Sequence, residues 1–164
     1  MISAYLRVIM DPKLSVRDRD SGKDGNIELL AVEHALISPR DSASGMATGK
    51  RQHLPITITK VPDQTSPFFY ESLARNREIP QVDLLFFGSN DRGGFLAGRE
   101  ATIYTISITK AFVSRIDFTG REDREAKDDI RFPLSERIAF VYDSIRWEWV
   151  PSKSVAEDNF NSKS

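Results

Sequence analysis

The chain has 164 residues and a mass of 18.6 kDa, the size of one ordinary domain with enough material to bury a core. Its 23 Lys and Arg against 24 Asp and Glu give a net charge of -1 and a pI near 6.1, so no global field recruits nucleic acid or an anionic membrane. There is no Cys, which removes disulfides, thiolate metal sites and a cysteine nucleophile, and only His34 and His53 offer imidazoles; no metal and no cofactor is expected.

Ser3 to Met10 reads as a strand, stopped by Asp11-Pro12 because proline cannot donate to a ladder. This N-terminal run is broken by Arg7 and lacks the basic leader of a signal peptide, and no stretch approaches the roughly 20 apolar residues of a membrane span. The expectation is a chain made in the cytoplasm, with no membrane insertion. Ser15 to Gly25 is a polar loop, and Asn26 to Ser38 a second strand whose alternation falters at Leu29-Leu30, as a bulge would make it do. Pro39 to His53 is small-residue-rich and without period, a length of loop that is functional or disordered in most compact domains. Leu54 to Lys60 alternates cleanly, and Pro55 predicts that this strand lies at an edge or begins there.

One helix is expected, from Pro67 to Arg77, with Ser66 as N-cap and Phe69, Tyr70, Leu73 and Ala74 on its buried face. Val82 to Phe87 is a strand covered on both faces, followed by a turn-rich loop from Gly88 to Gly98. From Tyr104 to Phe118 the even positions are mostly apolar, which fits two strands joined near Lys110 or one long bent strand. Gly120 to Arg131 is a mixed-charge loop. In the last strand Ile138, Phe140 and Tyr142 hold even positions while Ile145, Trp147 and Trp149 hold odd ones, so a bulge is expected near Asp143-Ser144. Beyond Pro151 the polar residues 152–164 read as an aperiodic tail, flexible in the isolated chain. The fold class is therefore mainly β: an antiparallel barrel or sandwich of about seven strands with one short helix packed against it, in a domain 1–150 followed by a tail 151–164.

No reaction chemistry stands out. His34 lies in a strand and His53 ends a loop, neither within a nucleophile elbow. Gly45 to Lys50 ends in Gly-Lys as a phosphate-binding loop does, but its first Gly is one place short, and Arg51 occupies the position of the magnesium-binding hydroxyl. The acidic residues of 122–129 are interleaved with Arg and Lys, and the Asp18 to Gly25 run lacks the terminal Glu of a calcium loop. Trp147 and Trp149 continue the buried face of their strand, where packing outweighs ligand stacking.

The order of segments resembles the Hcp (haemolysin-coregulated protein) family of bacterial type VI secretion. The resemblance rests on Ser38-Pro39-Arg40-Asp41 with Gly49-Lys50-Arg51-Gln52-His53, Pro55 to Lys60, and Asp63-Gln64-Thr65-Ser66-Pro67 entering the helix. Tyr104 to Ile108 and Phe140 to Trp149 complete it. It implies a non-enzymatic tube subunit forming homo-hexameric rings that stack, and that are exported without a signal peptide, carrying or chaperoning effectors. Sheath, tip and effector proteins are the implied partners, with neither nucleic acid nor membrane among them. Candidate ring-stacking or subunit contacts are Arg40, Asp41, Met46, Lys50, Arg51 and His53, and deletion of Met46 to Arg51 is expected to spare folded rings but abolish stacking. A tail-tube subunit of another contractile injection system and a monomeric ligand-binding barrel are the rival readings.

Overall fold

The computed structural model describes residues 3–11, 14–16, 25–89, 100–120 and 134–160; of the loops expected at 15–25, 88–98 and 120–131 all but the end residues lie outside them. In chain order the elements are β1 (Ser3–Asp11), β2 (Leu14–Val16), β3 (Ile27–Leu29), β4 (Ala31–Glu33), β5 (Leu36–Ile37), β6 (Gln52–His53) and β7 (Ile56–Lys60). Then follow α1 (Ser66–Ala74), β8 (Ile79–Ser89), β9 (Glu100–Gly120), β10 (Leu134–Val141), β11 (Ser144–Trp149), a 3-10 turn at Val150–Ser152, and β12 (Ser154–Asn159).

All pairings are antiparallel. The main sheet runs β2-β1-β8-β9-β10-β7-β4, with β3 on β1, β11 on β9 and β12 on β11. The ladder itself is open, but its distant members meet through the backbone: β3 pairs with β1, β4 pairs with β7, and Leu30 between them donates its N–H to the Thr59 carbonyl at 2.8 Å. The faltering pattern at Leu29-Leu30 is thus a corner where one strand leaves one part of the sheet for another, and Leu30 is turned outward. β7 begins just after Pro55 and lies between β10 and β4, so the proline marks a strand start rather than an edge.

Inside the curved sheet lie Leu6, Val8, Ile27, Ile56, Ile58, Ile79, Leu84, Ile108, Ile138 and Phe140, all essentially buried. Phe69 joins them from α1 and stacks edge-on with Phe140 at 6.1 Å, a burial worth about 1.5–3 kcal/mol. The helix departs from its expected face and limits. It spans Ser66–Ala74 and buries Ser66, Phe69 and Ser72, whereas Tyr70 and Leu73 are exposed. Thr65 occupies the cap position, because the Ser66 hydroxyl is drawn into a buried ionic cluster and donates to Glu136 instead. Asn76 in the left-handed region at φ 49° then turns the chain out of the helix, one residue before Arg77.

β9 is one long bent strand, and its apolar face does not stay on even positions. Ile106 and Ile108 are buried, then Ala111 and Val113, while Phe112 is only half-buried and Phe118 is exposed. Lys110 at φ 49° flips the alternation once. Ser114 is the extra residue between Val113, opposite Phe140, and Arg115, opposite Ala139, and flips it again. The neighbouring strand bends in step. β10 and β11 are separated by Tyr142-Asp143, opposite Lys110, which accounts for the switch from even to odd positions there. The register against β9 is unchanged across that gap, however, and the one-residue shift lies earlier, between Ala139 and Phe140.

Two segments expected to be irregular are structured. The loop 39–53 closes a hairpin in which β5 pairs with β6 and Arg40 bridges Ala47. Residues 154–159, expected as aperiodic tail, fold back through Lys153 at φ 54° and pair with β11 as β12. Their polar alternation suits a strand lying on the surface, where no apolar face is required.

Candidate functional site

The hairpin from Leu36 to His53 forms an arm whose surface is more apolar than a solvated loop needs to be. Leu36 and Ile37 are each 44% exposed and Met46, at the tip, is 70% exposed. Asp41 organises that tip: one carboxylate oxygen accepts the N–H of Ala43 at 2.6 Å and of Ser44 at 3.1 Å, which holds its carboxyl below the usual range. Gly45 at φ 69° completes the turn, and the Arg40 guanidinium donates to the Gly45 carbonyl at 3.2 Å. Lys50 is exposed on the returning limb, two residues before β6. Arg40, Asp41, Met46 and Lys50 therefore present an ordered, mixed apolar and charged surface.

Arg51 and His53 face the other way. The Arg51 guanidinium grips Asp158 of β12 through two nitrogens, one at 2.6 Å, and also donates to the Asn159 carbonyl at 3.1 Å. His53, its side chain only 3% exposed, places Nε2 2.7 Å from the same carboxylate and Nδ1 3.0 Å from the Tyr142 hydroxyl. His34, in the segment joining β4 to β5, reaches that hydroxyl from the other side, Nε2 at 3.2 Å. Arg51 and His53 hold Asp158 well below the ordinary carboxylate range, Arg51 being the larger influence. Burial pushes the Tyr142 phenol up to about 12, with the Asp158 charge acting in the same direction.

His34, Tyr142 and Asp158 were not singled out by sequence. They lie about a hundred residues apart in pairs, Asp158 sits in a stretch read as tail, and Tyr142 reads as core. The one available signal was that the two histidines bracket the arm, at its entry and its exit.

A second polar cluster lies beneath α1. Lys60 of β7 and Glu136 of β10 meet at 2.7 Å with side chains 0% and 1% exposed, and the Ser66 hydroxyl donates to Glu136 at 2.6 Å while accepting from Lys60 at 3.1 Å. Asp63 approaches the Lys60 ammonium at 3.0 Å and takes the Thr65 N–H at 2.8 Å. One ammonium thus faces two carboxylates, and with the Ser66 hydroxyl between them the cluster fastens the helix to the sheet.

The hollows lined by described residues include a small one of about 150 Å³ between His53, Leu54, Pro55, Val141, Tyr142 and Phe160. A polar groove of about 560 Å³ runs along β9, β11 and β12 between Gln81, Ser107, Thr109, Arg146 and Glu157. An apolar one of about 270 Å³ lies between Phe86, Ile103, Tyr104 and the exposed Trp149. Trp147 continues the buried side of β11 only in part, and Trp149 leaves it.

This architecture has known counterparts. A family model described as "Type VI secretion system effector, Hcp" matches residues 17–149. The chain belongs to the Hcp family. Hcp is a family of structural secretion-system proteins, not of enzymes. Among curated proteins it is 27% identical over 142 residues to the "Major exported protein" of Pseudomonas aeruginosa, covering 86% of this chain and 78% of that one. Its fold is that of solved Hcp structures. One crystal structure of an Hcp protein superposes with a TM-score of 0.83 at 18% identity, over 99% of this chain and 100% of the other. A mutant Hcp1 of E. coli EAEC 042 gives 0.80 at 22% identity over 98% and 99%, and Hcp3 of Pseudomonas aeruginosa 0.74 at 18% over 99% and 100%.

Proposed function

We propose that this chain is a subunit of the inner tube of a type VI secretion machine: it closes into hexameric rings, the rings stack, and the assembly is exported while carrying or chaperoning effectors. The carrying observation is membership of the Hcp family over residues 17–149 together with a fold shared along nearly the full length of solved Hcp proteins. The arm supports the reading physically. A ring of identical subunits needs one patch to meet a different patch on the next copy, and stacking needs a further contact between ring faces. An ordered projection with Met46 at its tip and Arg40, Asp41 and Lys50 beside it supplies an apolar anchor ringed by charges that set register. Near-neutral net charge limits self-repulsion in the polymer.

Within this proposal the contact set narrows to the exposed residues of the arm tip. Arg51 and His53 hold the arm to its own body, so deletion of Met46 to Arg51 would damage that anchor along with the tip. The cleaner test is the triple change Arg40→Glu, Met46→Asp, Lys50→Glu, which leaves the anchor alone. Electron micrographs should show annular particles and stacks for the parent protein, and rings without stacks for the variant. Parent-length stacks formed by the variant would remove the arm tip from the stacking contact.

A further inference from the structure

Counting donors and acceptors limits the proton arrangements the anchor can hold, and one of them leaves both rings neutral. Ionised Asp158 only accepts, so the His53 Nε2 beside it carries the proton and donates. In the neutral ring Nδ1 is then an acceptor, and it takes the Tyr142 O–H. The phenol oxygen in turn accepts from His34 Nε2–H. The chain of bonds runs in one direction, from His34 through Tyr142 and His53 to Asp158, with every group satisfied and both imidazoles neutral.

One added proton can be absorbed. If His53 becomes an imidazolium, its Nδ1–H donates to Tyr142, which reverses its own proton toward a His34 carrying hydrogen on Nδ1. A second proton cannot be absorbed. Two imidazolium N–H groups would then aim at one phenol oxygen whose own proton has no acceptor between them, and two cations would be separated by a single atom. Among the described residues the titratable and charged groups facing the two rings are Tyr142 at the β10–β11 corner, Asp158 of β12 and Arg51 ahead of β6; Trp147 packs 6.1 Å from His34, and Phe160 5.6 Å from His53. Arg51 already engages Asp158 through two nitrogens, so that carboxylate has limited capacity to offset two new cations.

We propose that His34, Tyr142, His53 and Asp158 form a proton-operated latch that fixes the arm to β12 at neutral pH and releases it when both imidazoles are charged. Among the described residues the arm's backbone bonds join its own two limbs, β5 to β6 and the Leu54 N–H to the Ala35 carbonyl at 3.1 Å, and none reaches β12, so the attachment to β12 rests on side chains. Burial and the neighbouring His53 ring both hold the His34 imidazole below its ordinary value, in keeping with resistance to the second proton. The latch concerns how the arm attaches to its own chain and goes beyond the tube reading without depending on it.

Hydrogen exchange on the full chain tests it. With rates normalised for the intrinsic effect of pH, amides of 36–53 and 154–159 should lose severalfold protection between about pH 7.5 and pH 5, while β8 holds its protection. His34→Gln keeps a donor to Tyr142 and cannot be charged, so its arm should stay protected at both pH values. Nuclear magnetic resonance of the parent protein provides a check that needs no variant: protonation of the His34 ring, held below its ordinary value, should move the Tyr142 signals. Unchanged parent protection, an equal loss in the His34→Gln protein, or a His34 titration that leaves the Tyr142 signals unmoved would each overturn the latch.

Discussion

The fold holds two polar clusters built from similar parts, and they differ in what they fasten and how permanently. Beneath α1, the Lys60–Glu136 pair is sealed at 0% and 1% exposure and joined by Ser66 and Asp63, which fixes helix to sheet. Under the arm, Asp158 is 20% exposed, its cationic partner Arg51 is 35% exposed, and the remaining side-chain contacts pass through two histidines and a phenol. The first cluster is a sealed ion pair; the second is partly open to water and built around imidazoles, the side chains suited to a pH switch. One fastens the body together, and the other is where the proposed latch would act.

The largest effect expected from breaking this contrast is at the sealed pair. Glu136→Ala removes the fully buried partner of the Lys60 ammonium, leaving it only Asp63 as a counter-charge, and should lower unfolding free energy by about 3 kcal/mol in denaturant titrations. Replacing both partners, Lys60→Met with Glu136→Leu, should recover part of that loss, because no fully buried charge remains and the half-buried Asp63 keeps the Thr65 N–H. A double variant as unstable as the single one would show that the pair does more than neutralise itself. At the other cluster, Tyr142→Phe deletes the hydroxyl both imidazoles share and should cost about 1–3 kcal/mol, within the range for groups left unpaired.

The pH dependence of stability separates the clusters further. His34 is harder to protonate folded than unfolded, so the unfolded chain binds more protons below about 6.5 and stability should fall as pH drops through that region. Asp158, depressed from its ordinary 3.8, adds stability above that value which is lost as pH falls through its folded pKa. On the alkaline side Tyr142 stays protonated to about 12 while the unfolded phenol ionises near 10, so stability should decline between the two. Denaturant midpoints across pH should show a His34→Gln protein losing the first of these slopes and keeping the others. The smallest effect belongs to Asp41→Ala, which loosens the exposed turn 41–45 and should leave the unfolding midpoint unchanged while raising exchange of the Ala43 and Ser44 amides.

Strands with strong alternation were legible from sequence: Ser3 to Met10, the segment after Pro55, and Val82 to Phe87, whose burial on both faces follows from its large residues. Illegible features were those decided by partners far along the chain. Ser66 looks like a helix cap in isolation, but Glu136, seventy residues on, claims its hydroxyl. Phe112 looks like core by parity, yet Lys110 in the left-handed region and the extra residue Ser114 move the buried positions to Ala111 and Val113. The candidate contact set was split for the same reason. Arg40, Asp41, Met46 and Lys50 lie on the surface of the arm, whereas Arg51 and His53 are claimed by Asp158, in a segment whose polarity hid a strand.

Native mass spectrometry of the purified full chain at neutral pH tests the central reading most directly. The account predicts a closed species of six times 18.6 kDa. A chain that stays monomeric at every concentration tested would contradict it.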